Sequence, residues 1–232
     1  MITQIYSIQT VEEALGCVRA GADCIGIACS VGDAAIPAGI PLETGLAIFQ
    51  AIDGKATKVA LTVASADAEI YPVIEALHPD VIHVCGNGYY ATADFAAKAR
   101  AMQPNLRILQ AIPMTGVEAL PLAISLASFC DLLILDSVSP AIDGIGAAGF
   151  VHDWQLSKAI VNALKDSPCK VILAGGLGAD NVADAIRTVR PYGVDSFTRT
   201  SDKLPDGSTR KNLEQVAAFV QNAKACAKEL GL

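Results

Sequence analysis

Apolar runs of four to six residues alternate with amphipathic stretches of helical period eight times along this chain, and few architectures accept that rhythm. The strand-like runs are Gln4 to Ile8, Cys24 to Cys29, Lys58 to Val63, Val81 to Cys85, Arg107 to Ile112, Leu132 to Leu135, Lys170 to Ala174 and Val194 to Phe197. Between and after them the spacing predicts helices over Val11–Ala20, Leu42–Ile52, Ala66–Leu77, Ala91–Ala101, Val117–Ser128, Trp154–Asp166, Ala179–Val189 and Arg210–Glu229. Strict alternation gives a parallel sheet with helical crossovers, and eight repeats favour closure over an open sheet. The expected fold is α/β, a single (β/α)8 TIM barrel occupying residues 1–232, close to the roughly 250 residues typical of that fold.

Composition narrows the function. Apolar residues make up 52% of the chain, enough for a large core, and charged residues only 18%. No apolar run approaches the roughly 20 residues that cross a bilayer, and the start MITQIYSIQT lacks the basic and apolar regions of a signal peptide. These features lead us to expect a cytoplasmic protein with no membrane partner. The net charge is −7 and the 17 Lys and Arg are scattered, which argues against a nucleic-acid surface. Seven cysteines, an odd number without a CxxC, read as reduced packing thiols. Three histidines without HxH or HExxH spacing give no reason to expect a metal, and no cofactor is expected.

The segment VILAGGLGADNVADAIRTVRPYGVDS, Val171 to Ser196, packs one whole repeat into 26 residues. A short apolar strand runs into Gly175-Gly176, where the backbone turns without a Cβ, and a helix spaced by Val182, Ala185, Ile186 and Val189 follows. Glycines at a strand's C-terminal end before a helix N-terminus offer N–H groups and a favourable dipole to a phosphate. The plainer reading is a tight turn and nothing more. Two strand-to-helix loops are long, Ser30 to Pro41 and Ser137 to Asp153, and long loops at this end of a barrel usually carry function. Lys211, Lys224 and Lys228 read as the solvated face of the last helix.

Several of these segments, in order and at suitable spacing, resemble phosphoribosylanthranilate isomerase nearly end to end: TVEEALGCVRAGADCIGIA, LLILDS, GAAGFVHDW and ILAGGLGADNVADAIRTVRPYGVDS. The resemblance implies a barrel that isomerises a phosphorylated sugar conjugate, occurring as a monomer or homodimer. It also implies residue roles, of which some are kept. The family's general acid, an aspartate ending strand six, matches Asp136. Its general base is the cysteine of Lys-Ile-Cys-Gly, and here the strand reads Gln4-Ile5-Tyr6-Ser7. Family members bind the substrate carboxylate with a basic loop after strand two, whereas no Lys or Arg lies between Arg19 and Lys55. The strand-four signature Gln-Leu-His-Gly becomes His83-Val84-Cys85-Gly86, and the glycine-rich loop after strand six has Phe150 where the family has lysine. After strand eight, Asp-Val-Ser-Ser-Gly becomes Asp195-Ser196-Phe197-Thr198-Arg199.

An Amadori rearrangement needs an acid at the furanose ring oxygen and a base at C2. Asp136 serves as the acid if partial desolvation raises its pKa; otherwise it caps a loop. Tyr6 is a poor base, since phenol ionises near ~10, and is expected to contact substrate. Cys85 is a candidate base or nucleophile if a positive neighbour lowers its pKa, and His83 a candidate base or substrate ligand; both also read as core residues. Asp195 and Arg199 either pair with each other or bind substrate, while Gly175, Gly176 and Thr198 are the candidate phosphate site. The resulting expectation is an isomerase of a phosphorylated sugar or sugar conjugate with a changed substrate. Two alternatives stand beside it: another sugar-phosphate reaction such as epimerisation or lyase chemistry, and a non-catalytic phosphosugar binder. Lys58 and Lys170 begin their strands, the wrong end for a Schiff-base lysine.

Overall fold

The computed structural model describes residues 1–29, 36–139 and 144–232, so parts of both long loops lie outside the described residues. Eight strands form the barrel: β1 (Ile2–Ile5), β2 (Cys24–Ala28), β3 (Thr57–Thr62), β4 (Val81–Val84), β5 (Arg107–Pro113), β6 (Leu132–Asp136), β7 (Lys170–Leu173) and β8 (Gly193–Ser196). They pair in sequence order, all parallel, and β8 closes on β1 with Ile2 opposite Gly193 and Gln4 opposite Asp195. Seven helices cross between them: α1 (Val11–Arg19), α2 (Leu42–Ala51), α3 (Asp67–Leu77), α4 (Ala93–Met102), α5 (Ala119–Leu126), α6 (Trp154–Ala163) and α7 (Val182–Val189), and α8 (Leu213–Leu230) follows β8.

Local chemistry explains these boundaries. Strands β2 and β4 are buried along their whole length, which suits apolar runs covered by helices outside and side chains inside. Thr10, Thr92, Asp153 and Asn212 each cap a helix by accepting a hydrogen bond from an N–H of its first turn. One apolar core lies between strands and helices; a second, including Val59, Leu109, Ile134 and Ile172, fills the barrel. All seven cysteines are buried free thiols.

Three departures from expectation bear on the site. Strand β1 ends at Ile5 and not Ile8, because Ser7 takes a left-handed backbone (φ 52°) that ends the extended run. Helix α8 begins at Leu213 and not Arg210, because an antiparallel hairpin, β9 (Ser201–Lys203) and β10 (Thr209–Lys211), follows β8. Lys211 is therefore not solvated. It is buried, its Nζ donating to Phe197 O at 3.2 Å and to Ser201 Oγ at 2.8 Å, while its backbone N–H donates to Glu13 Oε1 on α1. Alternation of apolar positions marks a strand or helix face, but three-residue strands are too short to show it.

Gly26 on β2 is set by Tyr6. A Cβ there would overlap the Tyr6 ring, which is buried inside the barrel. We expect Gly26→Ala to lower stability by about 1–3 kcal/mol through overpacking. Combining it with Tyr6→Cys, which removes the ring, should recover most of that loss; urea melts in which the double variant is no more stable than Gly26→Ala would contradict this packing.

Candidate active site

Parallel barrel strands present their C-terminal ends to one face, and here they surround two recesses. The larger, about 530 Å³, is lined by Tyr6, Ser7, Ala28, Leu61, Val63, His83, Cys85 and Ile145, with Ile36 and Pro37 from the loop after β2. The smaller, about 260 Å³, is lined by Gly149, Gly175, Gly176, Leu177, Ser196 and Thr198. Asp136, Ala147, Asp195 and Phe197 line both, so the two carboxyl groups stand where the recesses meet.

Each carboxyl has one oxygen held. Asp136 Oδ1 accepts from its neighbour's N–H, Ser137, at 2.7 Å, and Asp195 Oδ1 accepts from Gln4 Nε2 at 3.1 Å. Burial disfavours their charged forms and raises Asp136 to about 7; burial, then the charge of Asp136, raises Asp195 to about 8. Gln4 was not among the residues singled out from the sequence. Of the two readings of Asp195 and Arg199, Asp195 lines the recesses, whereas Arg199 neither pairs with it nor lines either recess: it is exposed and pairs with Asp180 at 2.6 Å. Charges at barrel strand ends suit either use, but the 3₁₀ turn Thr198–Thr200 carries Arg199 outward.

The candidates for a base fare differently. Tyr6 Oη lies 2.6 Å from His83 Nδ1. Burial pushes the phenol further up and drives the imidazole down to about 3, so both are neutral. Since the phenol must donate its proton and has no other acceptor, Nδ1 accepts it and the imidazole proton sits on Nε2, which has no partner among the described residues. His83 thus lines the recess as a neutral imidazole whose Nε2–H is buried, and it is not a base. Cys85 lacks the positive neighbour it would need. Burial pushes its thiol up to about 12, and it donates to Ile145 O at 2.8 Å.

The glycine pair is shaped by the loop above it. A Cβ at Gly175 would lie 2.6 Å from Ser137 Oγ, and one at Gly176 2.7 Å from the Phe150 carbonyl carbon; both glycines have positive φ. That loop is fixed by a chain of polar groups: Ser157 Oγ donates to His152 Nε2, His152 Nδ1 donates to Ser137 Oγ, and Ser137 Oγ donates to Phe150 O. Asn181 locks the other side, its side chain bridging Gly176 O and Gly178 N. Ser196 Oγ donates to Leu177 O, which ties β8 to the same turn. The N–H groups of Gly176 and Leu177 have no acceptor among the described residues, and they border the recess that Thr198 also lines. An anion of phosphate size is the ligand such unmatched donors suit.

No Lys or Arg lines the larger recess among the described residues, and residues 30–35 and 140–143 contain none in the sequence. Apolar walls, two proton-holding carboxyls and a neutral imidazole define its chemistry.

Eight closed parallel strands with unmatched N–H donors after β7 and carboxyls at the strand ends define a (β/α)8 barrel whose polar groups gather at the C-terminal ends of the strands. Comparison with known proteins is more specific. The family model for N-(5'-phosphoribosyl)anthranilate (PRA) isomerase matches residues 47–222. The N-(5'-phosphoribosyl)anthranilate isomerase of Azorhizobium caulinodans is 32% identical, the match covering 96% of this chain and 91% of that protein. Among solved structures, the Pyrococcus furiosus enzyme of that name superposes with a TM-score of 0.76 at 23% identity over 97% of this chain and 99% of the other. A phosphoribosylanthranilate isomerase bound to reduced 1-(o-carboxyphenylamino)-1-deoxyribulose 5-phosphate gives 0.73 at 21% identity, over 97% and 100%. The chain belongs to the N-(5'-phosphoribosyl)anthranilate isomerase family, a family of isomerase enzymes.

The raised carboxyls link stability to pH. In the unfolded chain an aspartate ionises near ~3.9, whereas folded Asp136 keeps its proton to about 7. Between those values the folded state holds the extra proton, so this contribution is full below the lower value and is lost as pH rises to the upper one. Asp136→Asn should therefore gain melting temperature relative to the unsubstituted protein from pH 4 to pH 7, roughly the window between the two pKa values, and keep a constant gap above it. A gap that ignores pH would place the carboxyl in water.

Proposed function

We propose that this chain catalyses an Amadori-type aldose–ketose isomerisation of a phosphorylated glycosylamine whose aglycone is uncharged. Support comes foremost from Asp136, which stands between a recess walled mainly by apolar side chains and a glycine-lined recess. In this reading the phosphate occupies the recess of Gly175, Gly176 and Thr198, the sugar lies across the junction, and the aglycone fills the larger recess. Asp136, half-buried and protonated near neutrality, gives its proton to the ring oxygen. The His83 imidazole and Tyr6 ring line the aglycone side, and Cys85 shapes the wall as a thiol. Arg199 contributes only at the rim, where it would have to leave Asp180 to meet an anion.

A carboxylate-bearing aglycone is disfavoured here. The relatives are named for an anthranilate conjugate, and the ligand in the solved complex carries a carboxyphenyl group. Burying such a carboxylate against this recess would leave a charge without a cation, which costs several kcal/mol. The changes at Tyr6 and His83, and the loop after β2 without Lys or Arg, lie on the aglycone side. Activity is carried by one domain, residues 1–232, working as a monomer or homodimer in the cytoplasm on a small phosphorylated molecule.

Ribose 5-phosphate condensed with aniline or with anthranilate supplies a matched pair of glycosylamines. We expect the aniline conjugate to be converted to the ketose with a kcat/KM at least about 10²-fold above the anthranilate conjugate, the scale of an unpaired buried charge. Asp136→Asn should cost about 10²- to 10⁴-fold in kcat while leaving binding of the conjugate intact. Ordinary turnover of the anthranilate conjugate, or an Asp136→Asn variant as fast as its parent, would reject this reading.

A further inference from the structure

We propose that Asp195 is the base that removes the C2 proton, so that the acid–base pair of this barrel is two carboxyl groups on β6 and β8. The assignment rests on the isomerase reading above and deepens it. Its ground is position: Asp195 and Asp136 are the two ionisable side chains common to both recesses, and the reacting sugar carbons of a ligand spanning those recesses must lie beside them. Strand β8 is the neighbour of β1, with Asp195 opposite Gln4 and the Tyr6 N–H bonded to Ser196 O. Asp195 therefore works from the side of the barrel where Tyr6 has taken the first strand's reactive position.

The other candidates fail on geometry. Tyr6 spends its proton on His83, His83 keeps its own on a buried Nε2, and the Cys85 thiol is bonded to Ile145 O. Asp195 has Oδ1 held by Gln4 and Oδ2 without a partner among the described residues, facing the junction.

Burial and mutual repulsion keep one proton between the two acids near neutral pH, as in other carboxyl dyads. Asp195, at about 8 against about 7 for Asp136, holds that proton the more tightly in the free site, so the productive placement, with Asp195 ionised and Asp136 protonated, is the minor one. Gln4 Nε2 and the ammonium of Lys211 favour it, while Tyr6, Cys24 and Cys85 face the carboxyl as neutral groups.

The step balances without a co-reactant. Asp136 gives its proton to the ring oxygen as the bond from that oxygen to C1 breaks, and the aglycone nitrogen's lone pair forms C1=N. Asp195 then takes the C2 proton; the C2–H electrons become C1=C2 and the C=N electrons return to nitrogen. Asp195 returns its proton to C1, and Asp136 recovers the C2 hydroxyl proton as the ketone forms. Both carboxyls end as they began.

The test uses the aniline glycosylamine of ribose 5-phosphate with the full-length protein and its Asp195→Asn, Cys85→Ser and Gln4→Leu variants. Asp195→Asn should lose about 10²- to 10⁴-fold in kcat with binding of the conjugate kept within a few-fold, a far larger loss in kcat than Cys85→Ser gives. Gln4→Leu removes a bond that favours ionised Asp195, so the acid limb of its kcat/KM profile should move to higher pH, which a structural role would not cause. If the unsubstituted protein forms no ketose, the isomerase reading falls and this assignment with it. If it does and Asp195→Asn keeps pace, or Cys85→Ser is the variant that stops, this assignment alone falls. Should Asp195→Asn not fold, the Gln4→Leu profile decides: an unmoved acid limb overturns the proposal.

Discussion

Closure of β8 on β1 is the constraint from which the site follows. Four parallel pairs, Ile2 with Gly193 through Ile5 with Ser196, turn an open sheet into a barrel and abolish its edges. The same register sets Gln4 beside Asp195, so an amide holds a carboxyl that would otherwise be buried with both oxygens unmatched. It also hands the Ser196 carbonyl to the Tyr6 N–H, which fixes where the first strand stops and where the Tyr6 ring turns inward over Gly26.

Electrostatics then separates the two recesses. Around the larger one, low polarizability and the lack of cations keep every titratable group neutral or sharing a proton: phenol and thiol upward, imidazole downward, carboxyls upward. Around the smaller one the donors are backbone N–H groups, whose partial charges need no counter-ion and cost no side-chain entropy. A phosphate can be held at one end of such a trough without drawing a charged aglycone to the other. Lys211 supplies a buried positive charge that favours ionised Asp195, and it grips the β8 turn through Phe197 O and Ser201 Oγ.

The sequence made the barrel legible because eight strands buried on both faces read as apolar runs and eight helices as 3.6-residue periods, signals that add over the chain. The places of Asp136, Gly175 and Gly176 at strand ends lining the recesses were legible too. What could not be read was anything that depends on which side chains meet. The meeting of Tyr6 with His83 joins β1 to β4 across the barrel, 77 residues apart, and changed a candidate base into a donor. Arg199 looked like a site residue beside Asp195, yet a three-residue turn separates them; Lys211 looked exposed because a hairpin too short for periodicity was read as helix.

Two carboxyls whose charged forms are disfavoured by burial, with only Lys211 to oppose the charge of one, are a liability that a scaffold has no reason to carry. Each unit by which burial raises a pKa represents about 1.4 kcal/mol held against the charged form, and apolar residues of similar size would relieve it. A barrel kept only for binding would also gain nothing from Gln4, whose buried amide is matched to Asp195. An anion held by the main-chain donors of the β7 turn would need neither acid as a ligand. The stability spent at Asp136 and Asp195 is therefore intelligible where a proton must be given and taken at the same sugar, which favours catalysis over passive binding at this site.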